Sequence, residues 1–196
     1  MYALGEWIAR MLRRLFGVSV EGFEHLPRDG AVILAPNHAS AWDPVFLFGI
    51  AGRPMYFMAK EELFRNQLLA RLLYAVHAFP VRRGTADKKA LRRSLIVLEQ
   101  RQVLCVFPEG TRNRGKDPLS AHHGIAMLCL RAQAPVLPVA CIGTRERLVT
   151  WWKKPVQIRF GEPVHYEEAF GEKVNAQILE AISEDLMTRI SNLLSA

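Results

Sequence analysis

Apolar and polar positions change period repeatedly along the chain. Residues 31–35 and 103–107 are continuous apolar runs, the pattern of strands covered on both faces. Further strands are predicted over 18–23, 55–58, 79–81 and 136–142, with a last one over 155–161. Helical spacing falls between them, from Pro44 to about Gly52, over 61–77, 86–102 and 122–132, and from Glu172 onward. Strand and helix alternate without internal repeat or linker. The predicted class is α/β: a single domain with a largely parallel mixed sheet flanked by helices and an N-terminal amphipathic helix.

That first helix is read over residues 2–16. Leu4, Trp7, Ile8, Met11, Leu12 and Leu15 share one face, and Glu6, Arg10, Arg13 and Arg14 the other. It either packs on the domain or lies in a membrane interface with Trp7 and the arginines at headgroup level. Residues 1–17 are assigned as a membrane-associating helix and 18–196 as the catalytic domain. The segment 61–77 poses the same choice. Leu63, Phe64, Leu68, Leu69, Leu72 and Leu73, with Arg65 and Arg71 between them, form a broad face that turns toward core or toward lipid. No apolar run reaches the roughly 18 residues of a membrane span. Arg10, Arg13 and Arg14 interrupt the N-terminal apolar region, which is not the order of a signal peptide. The expected location is the cytoplasmic side of a membrane, peripheral or monotopic.

The net charge of +7 points to an anionic partner, whether phosphorylated substrate, membrane surface or nucleic acid. Cys105, Cys129 and Cys141 each sit inside an apolar run and read as reduced, buried residues. No metal-ligand spacing occurs; His122 and His123 are adjacent and lack nearby partners. No nucleic-acid motif appears.

Candidate chemistry concentrates in Pro36-Asn37-His38-Ala39-Ser40-Ala41-Trp42-Asp43-Pro44, between two apolar runs. One bend brings His38 and Asp43 together. A carboxylate on one imidazole nitrogen fixes the tautomer and leaves the other nitrogen to accept a proton. Asp43 alternatively caps a helix opened by Pro44, or does both. In an open α/β sheet, loops at the carboxyl ends of strands gather ligands. Arg83 follows one strand, and Glu109, Gly110 and Arg112 follow another. Paired arginines suit a phosphate.

Four ordered blocks then become recognisable: Asn37-His38-x4-Asp43, Phe79-Pro80-Val81-Arg82-Arg83-Gly84, Phe107-Pro108-Glu109-Gly110-Thr111-Arg112 and Ala134-Pro135-Val136-Leu137-Pro138-Val139. Together they resemble the glycerolipid acyltransferase family, whose best known members acylate 1-acylglycerol-3-phosphate (lysophosphatidic acid). Many members carry an acidic residue where this chain has Arg82, so Arg83 is matched to the family arginine. His123 stands where a basic residue often precedes the glycine.

The resemblance implies transfer of a fatty acyl group from acyl-CoA or acyl carrier protein to the hydroxyl of a lysophospholipid, without metal or organic cofactor. His38 is then the general base and Asp43 its orienter. Arg83 and Arg112 hold the acceptor phosphate. Glu109 positions Arg112 or binds a glycerol hydroxyl, and amides near Gly110 or the His38 loop serve the oxyanion. Other acceptors of the same family, such as glycerol-3-phosphate or a lyso-ornithine lipid, are alternatives.

Two rival classes remain. A covalent hydrolase would use Ser40 or a cysteine as nucleophile. A non-catalytic basic membrane-binding module would use Arg145, Arg147, Trp151, Trp152, Lys153 and Lys154.

Overall fold

The run at 31–35 forms the middle of a seven-stranded sheet. The computed structural model describes residues 7, 11, 14, 17–85, 87–112, 123–145, 156–171 and 174–196. In chain order the strands are β1 (Ser19–Glu21), β2 (Val32–Pro36), β3 (Met55–Lys60), β4 (Ala78–Val81), β5 (Val103–Cys105), β6 (Val136–Ile142) and β7 (Gln157–Phe160). Their spatial order is β1-β7-β6-β2-β5-β3-β4. The five strands from β6 to β4 are mutually parallel. β7 runs antiparallel to β6, and β1 pairs with β7 in parallel. The sheet is therefore mixed but largely parallel. β4 closes one edge, where Pro80 leaves no ladder hydrogen bond unmade on the outer side.

The helices are α1 (Asp43–Ile50), α2 (Gln67–Ala75), α3 (Lys88–Glu99), α4 (Gly124–Ala132) and α5 (Ala176–Ser195). Every residue of β2 is buried because its two faces meet two cores. Val32 and Leu34 pack with Phe46, Leu47 and Ile50 of α1, with Leu73 of α2 at the margin. Ile33 and Ala35 pack with Val97 of α3, Leu128 of α4 and Ile190 of α5. Side chains alternate across a strand, so a strand between two helical layers must be apolar throughout.

Local chemistry sets the boundaries. The helix predicted over 61–77 is interrupted. Glu61–Arg65 is a 3-10 turn, and Asn66 is extended (φ −82°, ψ 116°). The Asn66 side chain accepts the Leu69 N–H at 3.1 Å, a cap that starts α2 afresh. Asp87 caps α3 and Asn175 caps α5 in the same way, so both helices begin later than apolar spacing suggests. β5 stops at Cys105, two residues short of the predicted end, as the chain enters a turn at Phe107.

The predicted N-terminal helix lies mostly outside the described residues. Trp7, Met11 and Arg14, which are described, are helical and exposed. Among the described residues no helix is long and apolar enough to cross a membrane.

Candidate active site

β6, β2, β5, β3 and β4 deliver their carboxyl ends to one edge of the sheet. His38 leaves β2 there, Glu62 follows β3, Arg83 follows β4, and Glu109 to Arg112 follow β5.

Asn37 secures the exit from β2. Its amide Oδ1 accepts the Cys141 N–H at 2.6 Å and its Nδ2 donates to the Cys141 carbonyl at 3.2 Å. The side chain thus continues the ladder to β6 where the backbone turns away. His38 comes next, buried to 7% exposure, with its ring stacked on Phe107 at a centroid separation of 4.0 Å.

Asp43 meets His38 from the first turn of α1. Its Oδ2 lies 3.0 Å from His38 Nδ1 and accepts the Ser40 N–H at 2.7 Å. Trp42, not Asp43, occupies the cap position, and no side chain caps α1. Asp43 is instead the first helical residue, and its carboxylate folds back over the preceding loop. The helix dipole still favours its charge there. Asp43 is fully buried, and its Oδ1 has no hydrogen-bond partner among the described residues. With Nδ1 donating to this carboxylate, His38 Nε2 is left with the lone pair.

The turn after β5 closes on the same loop. Glu109, 8% exposed, accepts the backbone N–H of His38 through Oε1 at 2.8 Å. The sequence offers Glu109 as a partner of Arg112 or of a glycerol hydroxyl, and does not show this link between the first and third blocks. Gly110 adopts φ 64°, a conformation natural only to glycine. Its N–H donates to the Phe107 carbonyl at 3.1 Å, and the Thr111 N–H donates to the Glu109 carbonyl at 2.7 Å. The amides of His38, Ser40, Gly110 and Thr111 are thus committed to the loops themselves.

Arg83 and Arg112 are both exposed at this edge. Burial foremost, then the like charge of Arg112, lowers the pKa of Arg83, and Glu62 opposes the shift. The charge of Arg112 therefore bears on Arg83 across the ends of β4 and β5. Arg82 points elsewhere: its backbone N–H donates to Asp87 Oδ2 at 2.9 Å, and its Nε lies 3.8 Å from the same oxygen. The sequence favours Arg83 only by its resemblance to the family blocks; the geometry gives Arg82 a partner of its own in Asp87.

The remaining candidates have other surroundings. The three cysteines are buried. Burial, and then the charge of Asp43, pushes the Cys105 and Cys141 thiols well up; burial pushes Cys129 up to about 12. None supplies the thiolate a covalent mechanism needs. Ser40 Oγ accepts the Trp42 N–H at 3.2 Å. His123 is exposed at the start of α4. Of the basic, indole-bearing segment only Arg145 is described; Arg147, Trp151, Trp152, Lys153 and Lys154 lie outside the described residues.

Comparison with known proteins places this arrangement. A family profile described as Acyltransferase matches residues 17–142, which contain every residue of the site. The chain is 31% identical over 179 residues to the 1-acyl-sn-glycerol-3-phosphate acyltransferase of Bacillus subtilis (strain 168), spanning 90% of this chain and 88% of the relative. The protein of the same name from Streptococcus pneumoniae is 27% identical over 170 residues, with 85% of this chain and 61% of that one covered. The crystal structure of the 1-acyl-sn-glycerophosphate (LPA) acyltransferase from Thermotoga maritima superposes with a TM-score of 0.74 at 26% identity, covering 98% of this chain and 79% of the other. A histidine and aspartate at the carboxyl edge of such a sheet, within a stretch matched in full by that family, lead to one conclusion: the chain belongs to the acyltransferase family and is an acyltransferase.

Proposed function

We propose that the protein transfers a fatty acyl group from an acyl thioester, acyl-CoA or acyl carrier protein, to the free hydroxyl of 1-acylglycerol-3-phosphate. The product is phosphatidic acid, for phospholipid biosynthesis. The observation that carries this reading is the His38–Asp43 pair at 3.0 Å, opening at the same sheet edge as Arg83 and Arg112. The names of the relatives support the acceptor.

In this mechanism the acceptor hydroxyl approaches His38 Nε2. As its oxygen attacks the thioester carbonyl carbon, the proton passes to Nε2, and Asp43 stabilises the imidazolium. The tetrahedral intermediate collapses with cleavage of the C–S bond. The departing sulfur takes the proton from His38, which restores the enzyme. General-base help of this kind contributes about 10²–10⁴-fold. A thioester is already activated, so we assign no metal or organic cofactor to the reaction.

Arg83 and Arg112 bind the acceptor phosphate. The charge of Arg112 disfavours that of Arg83, and a phosphate bound by both relieves the repulsion while accepting their hydrogen bonds. Glu109 keeps the two loops in register through His38 N–H. The enzyme works as a peripheral protein on the cytoplasmic face of an anionic membrane, with residues 1–17 contributing to attachment; the exposed Trp7 and Met11 support this.

The test is purified protein with radiolabelled acyl-CoA and acyl carrier protein against 1-acylglycerol-3-phosphate, glycerol-3-phosphate and lysophosphatidylcholine. Phosphatidic acid is the expected main product. A main product from either of the other acceptors contradicts the reading.

A further inference from the structure

α2 carries two apolar stripes where packing uses one. Ala70 is buried and Leu73 packs against the core on the α1 side. Leu68 and Leu72, one turn apart, point away and are 79% and 62% exposed. Leu63, on the turn before α2, is 43% exposed. A helix apolar on more than its core-facing stripe is the pattern of a buried or membrane-contacting element, and contiguous exposed apolar surface marks a docking site.

Charge and position say what covers it. Arg65 and Arg71 are exposed, and Arg71 falls about 60–100° around the helix from Leu68 and Leu72 at 3.6 residues per turn. Cationic side chains whose stems lie along apolar neighbours suit the headgroup layer of anionic lipid. Of the nearby carboxylates, Glu62 pairs with Lys60 at 3.2 Å. The stripe also begins at the acceptor site. Glu61–Arg65 follows the carboxyl end of β3, and Glu62 acts on the guanidinium of Arg83.

We propose that Leu63, Leu68 and Leu72, flanked by Arg65 and Arg71, form the surface by which the protein lies on an anionic lipid bilayer, with Arg83 brought to headgroup level. An acceptor bearing one acyl chain then presents its phosphate to Arg83 without leaving the lipid layer. This deepens the functional reading and rests on the acceptor being a lysophospholipid.

The test is co-sedimentation of the full chain with vesicles of phosphatidylglycerol and phosphatidylcholine in equal parts. The double variant Leu68→Ser/Leu72→Ser is expected to bind about tenfold less. Its acylation of vesicle-borne long-chain acceptor falls in parallel. Its acylation of a water-soluble short-chain 1-acylglycerol-3-phosphate stays within about twofold of native, as for a surface change. Arg65→Gln/Arg71→Gln loses the preference for anionic vesicles over pure phosphatidylcholine.

Leu68→Cys, labelled with an environment-sensitive dye while the native cysteines are buried, gives a blue shift on adding the same vesicles. Native-like vesicle binding by the double leucine variant, or no dye shift, overturns the proposal. So does a native dimer that this variant converts to monomer without loss of vesicle binding. If no acceptor lysolipid is acylated but the leucine variant still loses vesicle binding, the substrate reading fails and the docking surface stands.

Discussion

Glu109 accepts the backbone N–H of His38 at 2.8 Å, so the turn after β5 holds the loop after β2 across 71 residues of sequence. An acid buried this deeply beside a backbone amide acts as a strut. Glu109→Ala leaves the His38 N–H without its acceptor, a loss of about 1–3 kcal/mol, and loosens the base. Glu109→Gln keeps an oxygen acceptor. Thermal unfolding is expected to rank native and Gln above Ala, and kcat to follow the same order. Equal stability and turnover for Ala removes the strut.

The placement of Arg83 and Arg112 after β4 and β5, with the Arg112 charge bearing on Arg83, leads to a substrate-specific expectation. Arg83→Gln and Arg112→Gln each raise KM for the phosphorylated acceptor by about tenfold or more, the scale of a lost charged hydrogen bond. KM for the thioester stays near native. Inorganic phosphate raises the Tm of the native protein, by the linkage of binding to stability, and raises that of either variant less. Steady-state kinetics with each substrate varied in turn checks this. A shift confined to the thioester assigns the arginines to the donor.

The raised thiols give a pH dependence with a definite sign. Burial keeps Cys105, Cys129 and Cys141 protonated in the folded chain. An unfolded thiol ionises near ~8.5. Above that pH the unfolded chain binds fewer protons than the folded one, so stability falls as pH rises from about 8 to 10. At pH 8 a disulfide reagent is expected to label no thiol in the native protein and all three in denaturant. Rapid labelling of the folded protein contradicts the burial.

Asp87 at the start of α3 titrates with the opposite sign. The Arg82 N–H first, then those of Ala90 and Lys89, hold its carboxyl below the usual range. That contribution is present above about pH 4 and is lost as pH falls through the lowered value. Asp87→Ala is expected to cost about 1 kcal/mol near pH 7, and Asp87→Asn less. The difference from native closes in acid. Denaturation at several pH values measures it; an equal cost at all pH values means the charge is not involved.

Much of this arrangement is legible in the chain itself. β2 and β5 are readable because two helical layers force the unbroken apolar runs at 31–35 and 103–107, although β5 itself ends at Cys105. His38 and Asp43 are readable because their spacing survives a single bend. What escapes is set by partners distant in sequence. Nothing local shows that Glu109 reaches His38, or that Asn37 completes the ladder at Cys141. Resemblance alone favours Arg83 over Arg82, and the pairing of Arg82 with Asp87 comes only from the fold. The break at Asn66 is written in a capping side chain, but apolar spacing alone runs straight through it.

The most direct measurement is kcat/KM for 1-acylglycerol-3-phosphate with His38→Ala, at a temperature where native and variant are both folded by circular dichroism. With proton transfer at Nε2 removed, the ratio is expected to fall by about 10²–10⁴-fold. A value within a few-fold of native contradicts the assignment of His38 as the base.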